Sequence, residues 1–399
     1  MNRNHYKLFS ASWIAGLIIP NRLVRSATWD PSILSSRQMT GEVLELYRNL
    51  ALGGVGMIIT GGLPIYRERF PEEESDAPPR LYADLRVNGL GEMVQVVHQA
   101  SGECKIIAQL EVGFVDAGPS SISSPFSSQP VRELSPEEIE QIITCFVNAI
   151  LDMQSCGFDG VQLHAAHGGL LSRFLSPYTN RREDDFGGTT DRRSKIVREI
   201  VARARERVGD FPILIKMNCT DYLAGGVDIE NFPLLAQEIA RAGVDAIEVS
   251  GGMWECLFRP QEELGFRPVP APESHTRIRQ PEQQSYFLRY AEKLDLPIPL
   301  ILVGGNRDVE RLETILQSGN VDFMALCRPL IREPGLPNRW RAGLGGRLPE
   351  CVSCNSCLYD MYVHPGRPEP GLVTCICKND KKLHQKAQKW LATWKDSFG

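Results

Sequence analysis

No apolar run approaches the roughly 18 residues of a membrane span, so a transmembrane helix is not expected. A basic surplus is missing too: 44 Lys and Arg stand against 49 Asp and Glu, a net charge of -5. Without excess cations to neutralise phosphates, nucleic acid is excluded as an expected partner. Also absent is a Gly-x-Gly-x-x-Gly turn after an early strand. Gly53-Gly54-Val55-Gly56 precedes its strand, the wrong side for a phosphate cradle, which argues against a dinucleotide-binding sheet. Met1–Pro20 is mildly apolar but lacks a small-residue cleavage site, so it reads as mature protein and not as a signal peptide. What remains is a chain of 399 residues, 42% hydrophobic and 23% charged, with 35 Gly and 27 Pro. That is the composition of a globular protein, not of a collagen-like, disordered or coiled-coil one. The length allows two or three domains, or one α/β barrel with an appendage.

Cysteine is abundant instead. There are 11, and five fall between Cys351 and Cys377. The other six (Cys104, Cys145, Cys156, Cys219, Cys256 and Cys327) sit among apolar segments, where a free thiol acts as a small hydrophobe. An odd, unpaired set of this kind points to the cytoplasm.

Short β-rich runs recur with helical patterns between them: 22–26, 56–60, 105–110, 160–163, 213–217, 246–250, 300–303 and 322–326. Most lack apolar/polar alternation, as parallel strands covered on both faces do. Ser135-Pro136-Glu137-Glu138 supplies an N-cap, a proline at the first turn and a capping-box glutamate before Ile139, Ile142, Ile143 and Phe146. Asp191 opens another helix, with Ile196, Val197, Ile200 and Val201 on one stripe. Eight β/α units suit a closed (β/α)8 TIM barrel; a doubly wound sheet could hold them as well, but the missing glycine fingerprint favours the barrel. The expected division is a barrel over 1–345 and a Cys-rich extension with a terminal helix over 346–399.

Function in such a barrel sits at the carboxyl ends of the strands. Those positions carry Ser26, Ala27, Thr28 and Trp29; Gly62; Gln109; His164 and His167; Lys216 and Asn218; Gly304, Gly305 and Asn306; and Cys327 with Arg328. A Gly-Gly turn after strand seven and an arginine after strand eight are where barrels bind phosphate; the bland alternative is a simple turn and an Arg328–Glu333 pair. His164-Ala-Ala-His167 could bind metal, but the nearest acids in sequence, Glu183 to Asp185, are well downstream. Two neutral imidazoles donating to a carbonyl or phenolate oxygen is the simpler chemistry. The run Glu72-Glu73-Glu74 reads as a solvated face.

Several of these segments together resemble the old yellow enzyme family of flavin-dependent barrels, which includes dienoyl-CoA and enoate reductases. They are Asn21-Arg22-Leu23-Val24-Arg25-Ser26-Ala27; His164 through Pro177, continuing over Asn180-Arg181-Arg182, Asp185-Phe186-Gly187-Gly188 and Arg192; Val303-Gly304-Gly305-Asn306; and Cys327-Arg328-Pro329-Leu330 with Pro334. The resemblance spans roughly residues 5 to 345. It implies non-covalent FMN over the barrel mouth, NAD(P)H as electron donor and a small-molecule substrate. Ser26, Ala27, Thr28 and Gly62 would approach the flavin ring, Gln109 its pyrimidine edge and Lys216 the N1/O2 side. Gly304, Gly305, Asn306, Cys327 and Arg328 would hold the phosphate, and His164 and His167 would grip the substrate's electron-withdrawing oxygen. Two positions depart from the family. Gly169 stands where a proton-donating tyrosine is usual, leaving Tyr178, His275 or water as substitutes. Trp29 stands at or beside a residue that tunes the flavin.

In the tail, Cys351-Val-Ser-Cys354-Asn-Ser-Cys357 is followed, after 17 residues, by Cys375-Ile-Cys377. Longer relatives carry a four-iron cluster on Cys-x2-Cys-x3-Cys-x11-Cys in this place. Cys351, Cys354, Cys357 and Cys375 could hold an iron–sulfur cluster or zinc, be a degenerate remnant, or be redox-labile surface thiols. Lys381 to Trp394 forms a basic amphipathic pattern that would contact a membrane surface, a partner subunit or its own barrel. The sequence is compatible with a homo-oligomer. The resulting expectation is an FMN-dependent reductase of α,β-unsaturated, electron-poor substrates. The alternatives are a flavin-dependent amine dehydrogenase or demethylase, and a flavin/Cys redox sensor or electron-transfer protein.

Overall fold

A computed structural model of the chain describes residues 2–30, 39–65, 89–113, 117–123, 130–363 and 372–394. The run 72–74 therefore lies outside the described residues. Eight parallel strands form its centre: β1 (Leu23–Arg25), β2 (Met57–Ile59), β3 (Lys105–Glu111), β4 (Gly160–Ala165), β5 (Ile213–Asn218), β6 (Ala246–Ser250), β7 (Leu300–Leu302) and β8 (Phe323–Leu326). Each pairs with the next, and β8 pairs back onto β1 (Met324 opposite Leu23), closing the ring. All eight expected strands are present, with ends displaced by at most two residues. They are legible because both faces of each strand are covered, and β1, β2 and β5 to β8 are buried throughout.

Helices ring the barrel: α1 (Gly41–Leu52), α2 (Leu90–Ala100), α3 (Pro136–Ser155), α4 (Thr190–Val208), α5 (Phe232–Arg241) and α6 (Val309–Ser318). The capping box of α3 forms as expected: the Glu138 amide donates to Ser135 Oγ at 3.3 Å, and the Ser135 amide donates to Glu138 Oε2 at 2.7 Å. Helix α4 starts slightly earlier than expected, because Thr189 caps it.

Val24, Met57, Ile107, Leu214, Ile301 and Phe323 fill the barrel interior and pack against Ile14 and Ile19. These two belong to an antiparallel hairpin of Ser12–Ile14 and Leu17–Ile19. Because Met57, Leu214 and Phe323 lie at strand beginnings, the hairpin plugs the amino-terminal end. The carboxyl end is thereby left for chemistry.

The extension lies across that end. Its helices α7 (Ser356–Val363) and α8 (Lys381–Thr393) pack on each other and on barrel loops. Leu358, Met361 and Val373 cluster with Ala271, and Trp394 packs on Leu257 and Val269. The amphipathic tail thus meets its own barrel, burying Ala387 and Leu391. Among the described residues, no helix is long and apolar enough to cross a membrane.

Candidate active site

The carboxyl ends of the strands and the extension enclose a cavity of about 510 Å³. Its polar floor follows from strand register. Lys216 on β5 lies opposite Glu248 on β6 and His164 on β4, and Gln109 on β3 lies opposite Gln162 on β4. Neighbouring strands are close enough for such residues to bond. Lys216 Nζ donates to Ser26 Oγ (3.0 Å) and pairs with Glu248 Oε1 (3.2 Å), while Ser26 Oγ donates to the same carboxylate oxygen (2.6 Å). The other Glu248 oxygen accepts from Gln162 Nε2 (2.8 Å), whose carbonyl accepts from Gln109 Nε2 (2.7 Å). A buried cation is thus held by a buried carboxylate whose remaining oxygen is also hydrogen-bonded, the condition for tolerating charge away from water.

His164 and His167 stand above this floor with ring centroids 5.3 Å apart. His167 has φ of +59° and is fixed by its amide donating to Asn218 Oδ1 (3.1 Å) and by Nε2 against Ser250 Oγ (2.7 Å). Burial, reinforced by the positive charge of Lys216, pushes His164 down to about 3 and His167 well below its ordinary value. Both rings are therefore neutral at neutral pH, and each keeps one N–H donor. His164 Nδ1 is buried without a partner, a polar atom left for a ligand.

Beside His164 lies Glu111, with Oε2 4.0 Å from Nε2. Burial pushes its carboxyl up to about 7. A Cβ at Gly62 would fall 2.3 Å from that carboxyl, and one at Gly169 would touch the His164 ring at 3.5 Å. Glu111 and a side chain at 169 would therefore serve the same corner of the cavity.

At the opposite end, Gly304 (φ +103°) and Gly305 (φ +74°) turn the chain after β7. A Cβ at Gly304 or Gly305 would lie 2.6 or 2.8 Å from the Tyr286 ring, so only glycine fits there. Among the described residues, the amides of Gly304, Gly305 and Asn306 donate to no protein acceptor. Successive N–H groups of this kind are an anion nest. Arg328 borders it, anchored by Nη1 donating to the His275 carbonyl (2.8 Å) and to Asn355 Oδ1. It does not pair with Glu333, which binds Arg339. The residues thus fit a flavin mononucleotide: a nest and an arginine for the phosphate, and Lys216, Gln109 and Ser26 for the pyrimidine side.

Ser26, Ala27, Thr28, Trp29, Gly62, Gln109, His164, His167, Lys216, Gly304 to Asn306, Cys327 and Arg328 all line the cavity, as their positions at strand ends implied. Tyr178 and His275 do not. Tyr178 follows the short helix Leu170–Leu175, and its amide is turned back onto Ser176 Oγ (3.2 Å). His275 is sandwiched between Phe266 and Tyr286 (3.6 and 3.8 Å between centroids), and its main-chain carbonyl serves Arg328. Missed from sequence were Glu111, Gln162, Glu248 and Ser250. An acid within the apolar run Ala246–Ser250 was the available signal for Glu248. Also missed was the aromatic mouth, where Tyr362 of α7 stands 6.1 Å from Trp29 and 6.3 Å from Trp254.

Cys351, Cys354, Cys357, Cys375 and Cys377 converge on a separate small void of about 20 Å³ beside Arg328 and Arg332. Ligand atoms of two of these cysteines, Cys354 and Cys377, and of His384 lie within 4.8 Å of one another. His384, which the sequence did not single out, has its Nδ1 held by Ser356 Oγ at 2.7 Å.

The fold and site define a flavin-type barrel, and the similarity to known proteins agrees. The model of the NADH:flavin oxidoreductase / NADH oxidase family matches residues 7–346. The chain belongs to this family, that of old yellow enzyme. An NADH oxidase of Thermoanaerobacter brockii is 31% identical over 363 residues, covering 87% of this chain and 52% of that protein. An NADPH dehydrogenase of Clostridium acetobutylicum is 28% identical over 82% of this chain and 92% of its own length. Among solved structures, a 2-naphthoyl-CoA reductase in complex with 2-naphthoyl-CoA superposes with a TM-score of 0.76 at 22% identity, over 96% of this chain and 58% of that one. A histamine dehydrogenase from Rhizobium sp. 4-9 gives 0.66 at 22% identity, over 84% and 48%. The chain spans about half the length of the NADH oxidase and of a similarly matched metal reductase of Desulforamulus reducens.

Proposed function

We propose that the protein is an FMN-dependent oxidoreductase that draws electrons from NAD(P)H and reduces an α,β-unsaturated, electron-poor small molecule. The observation that carries this reading is the pair of neutral imidazoles, His164 and His167, held over the Lys216–Glu248 floor. FMN, when bound, supplies the transfer of a hydride equivalent from NAD(P)H to the substrate. Gly304, Gly305, Asn306 and Arg328 would hold its phosphate, and Lys216 would supply positive charge to its pyrimidine side. His164 and His167 donate N–H bonds to the substrate oxygen and polarise the conjugated double bond. The second hydrogen arrives as a proton, and Glu111 is the acid placed to give it, taking over the part that Gly169 leaves vacant. Its raised affinity for protons suits that task near neutral pH. Solvent then returns a proton to Glu111.

A second reading, a flavin-dependent amine dehydrogenase, is supported by the aromatic mouth. Trp29, Trp254 and Tyr362 line the cavity together with Glu111 and Glu273, and aromatic rings beside carboxyl groups favour a cationic amine. The converging thiols support a further element, an iron–sulfur cluster on Cys351, Cys354, Cys357 and Cys375, or zinc; its readout is the metal content of the isolated protein. The eleven cysteines, none of them in a disulfide, favour a reducing, cytoplasmic compartment.

Anaerobic absorption spectroscopy of the FMN-loaded protein separates the readings. Bleaching of the flavin by NADH or NADPH, followed by recovery on adding an enone such as cyclohexenone, is the expected result. Bleaching by amines and not by either nucleotide would transfer the assignment to the second reading. No bleaching by either class would discard both.

A further inference from the structure

A second cavity, of about 520 Å³, lies beside the first, with Ile278 and Arg307 lining both. Its walls carry Arg267, Arg277, Arg279 and Arg307 and no acidic side chain. Among the described residues, none of the four forms an ion pair. Arg307 is buried and spends its guanidinium on Ser353 Oγ and the Cys351 carbonyl, and Arg267 donates to the Leu391 carbonyl at 3.0 Å. Arg277 and Arg279 are exposed, and among the described residues their guanidinium groups have no hydrogen-bond partner. Their backbone, however, is fixed: the Arg277 amide donates to the Ser353 carbonyl (2.9 Å), and that of Arg279 to Gln283 Oε1 (2.8 Å). Four like charges around one hollow repel each other, and among the described residues no carboxylate lines the hollow to offset them.

The missing charge is anionic, and the cavity is much larger than a single phosphate needs. Val269, Ile278, Val352 and Leu391 offer an apolar wall for a flat ring. Gln284 is buried, and its Oε1 has no partner, leaving an acceptor for a hydroxyl. Planar guanidinium groups bind phosphate oxygens in pairs. We propose that this cavity binds the phosphorylated adenosine diphosphate end of a nucleotide-bearing ligand whose reacting end enters the first cavity. NADPH and coenzyme A thioesters share that end, differing in whether the extra phosphate is on the ribose 2′ or 3′ oxygen. The part played by the reacting end rests on the reductase reading; the adenosine phosphate site itself does not.

Calorimetric titration of the FMN-loaded, full-length protein with adenosine 2′,5′-bisphosphate and, separately, adenosine 3′,5′-bisphosphate tests the site. One of the two should bind, with affinity falling as salt is added. Arg277→Gln and Arg279→Gln should each weaken that binding about tenfold, one charge-assisted bond apiece. Preference for the 2′,5′ isomer assigns the site to NADPH, and Arg277→Gln should then raise the KM for NADPH while leaving that for NADH unchanged. Preference for the 3′,5′ isomer assigns it to a coenzyme A thioester. Failure of both isomers to bind, or binding unaffected by either substitution, overturns the proposal. Bisphosphate binding to a protein whose flavin neither nucleotide reduces would leave the site standing and remove the reductase reading instead.

Discussion

Glu111 and Lys216 show how environment divides labour between two charged residues in one cavity. Lys216 has a carboxylate and a hydroxyl within 3.2 Å, so its charge is matched on site. Among the described residues, Glu111 has only a neutral imidazole edge at 4.0 Å, and burial raises its proton affinity. Glu111→Gln keeps the shape and removes the acid. Reduction of an enone by the prereduced protein should slow by about a hundredfold or more, the range for one general acid. Flavin reduction by NAD(P)H, which needs no proton from this residue, should be unchanged. The wild-type rate should fall as pH rises through about 7, and the variant should lose that limb. Stopped-flow traces of the two half-reactions across pH check both statements. An unchanged reoxidation rate would reassign proton delivery to water.

Among the elements, α3 depends most plainly on a local signal. Glu138 both closes the capping box and pairs with Arg132 through two bonds of 2.8 Å, and these contacts hold its carboxyl below the ordinary range. Ser135→Ala should cost about 1 kcal/mol, read as a lower urea midpoint at an unchanged slope. A larger loss would mean that the cap also positions the chain entering α3. Elements of this kind were legible in the sequence because their causes are local: apolar runs for strands covered on both faces, and Ser-Pro-Glu-Glu for a helix start. The strand ends then named most of the site, since every barrel gathers them at one mouth. What sequence could not supply was direction. Glu111 closes β3 only two residues after Gln109, yet its role depends on the space left by Gly62 and Gly169 across the cavity. Tyr178 and His275 do not line the cavity for the same reason: neither a place near the site segments nor a likeness to a family loop says anything about the turn at Ser176 or the stack between Phe266 and Tyr286. The aromatic mouth was illegible because its rings come from segments more than a hundred residues apart, Trp29, Trp254 and Tyr362.

Taken over the whole molecule, the same burial that tunes the site also couples folding to pH. His164 and His275 are pushed down to about 3 and His167 is lowered well below its ordinary value, all by loss of water before any charge effect. Between their folded values and the ordinary histidine value of 6.5, the unfolded chain binds more protons on these three residues than the folded one. Stability must therefore drop as pH falls through that window. Glu111, Asp221 and Glu273 act in the opposite sense, because burial raises them and the folded chain holds their protons longer. Below about pH 5 the unfolded carboxyls also become protonated and that opposition fades, leaving the histidines to dominate. Each histidine then contributes up to roughly 1.4 kcal/mol per pH unit. The urea midpoint should accordingly fall more steeply between pH 5 and 4 than between 7 and 6. His275→Phe, which preserves the stack without the ring nitrogens, should flatten that decline. A midpoint indifferent to acid, or a variant with the wild-type slope, would mean that the imidazoles are not held dry and neutral, and the oxygen grip assigned to His164 and His167 would lose its physical basis.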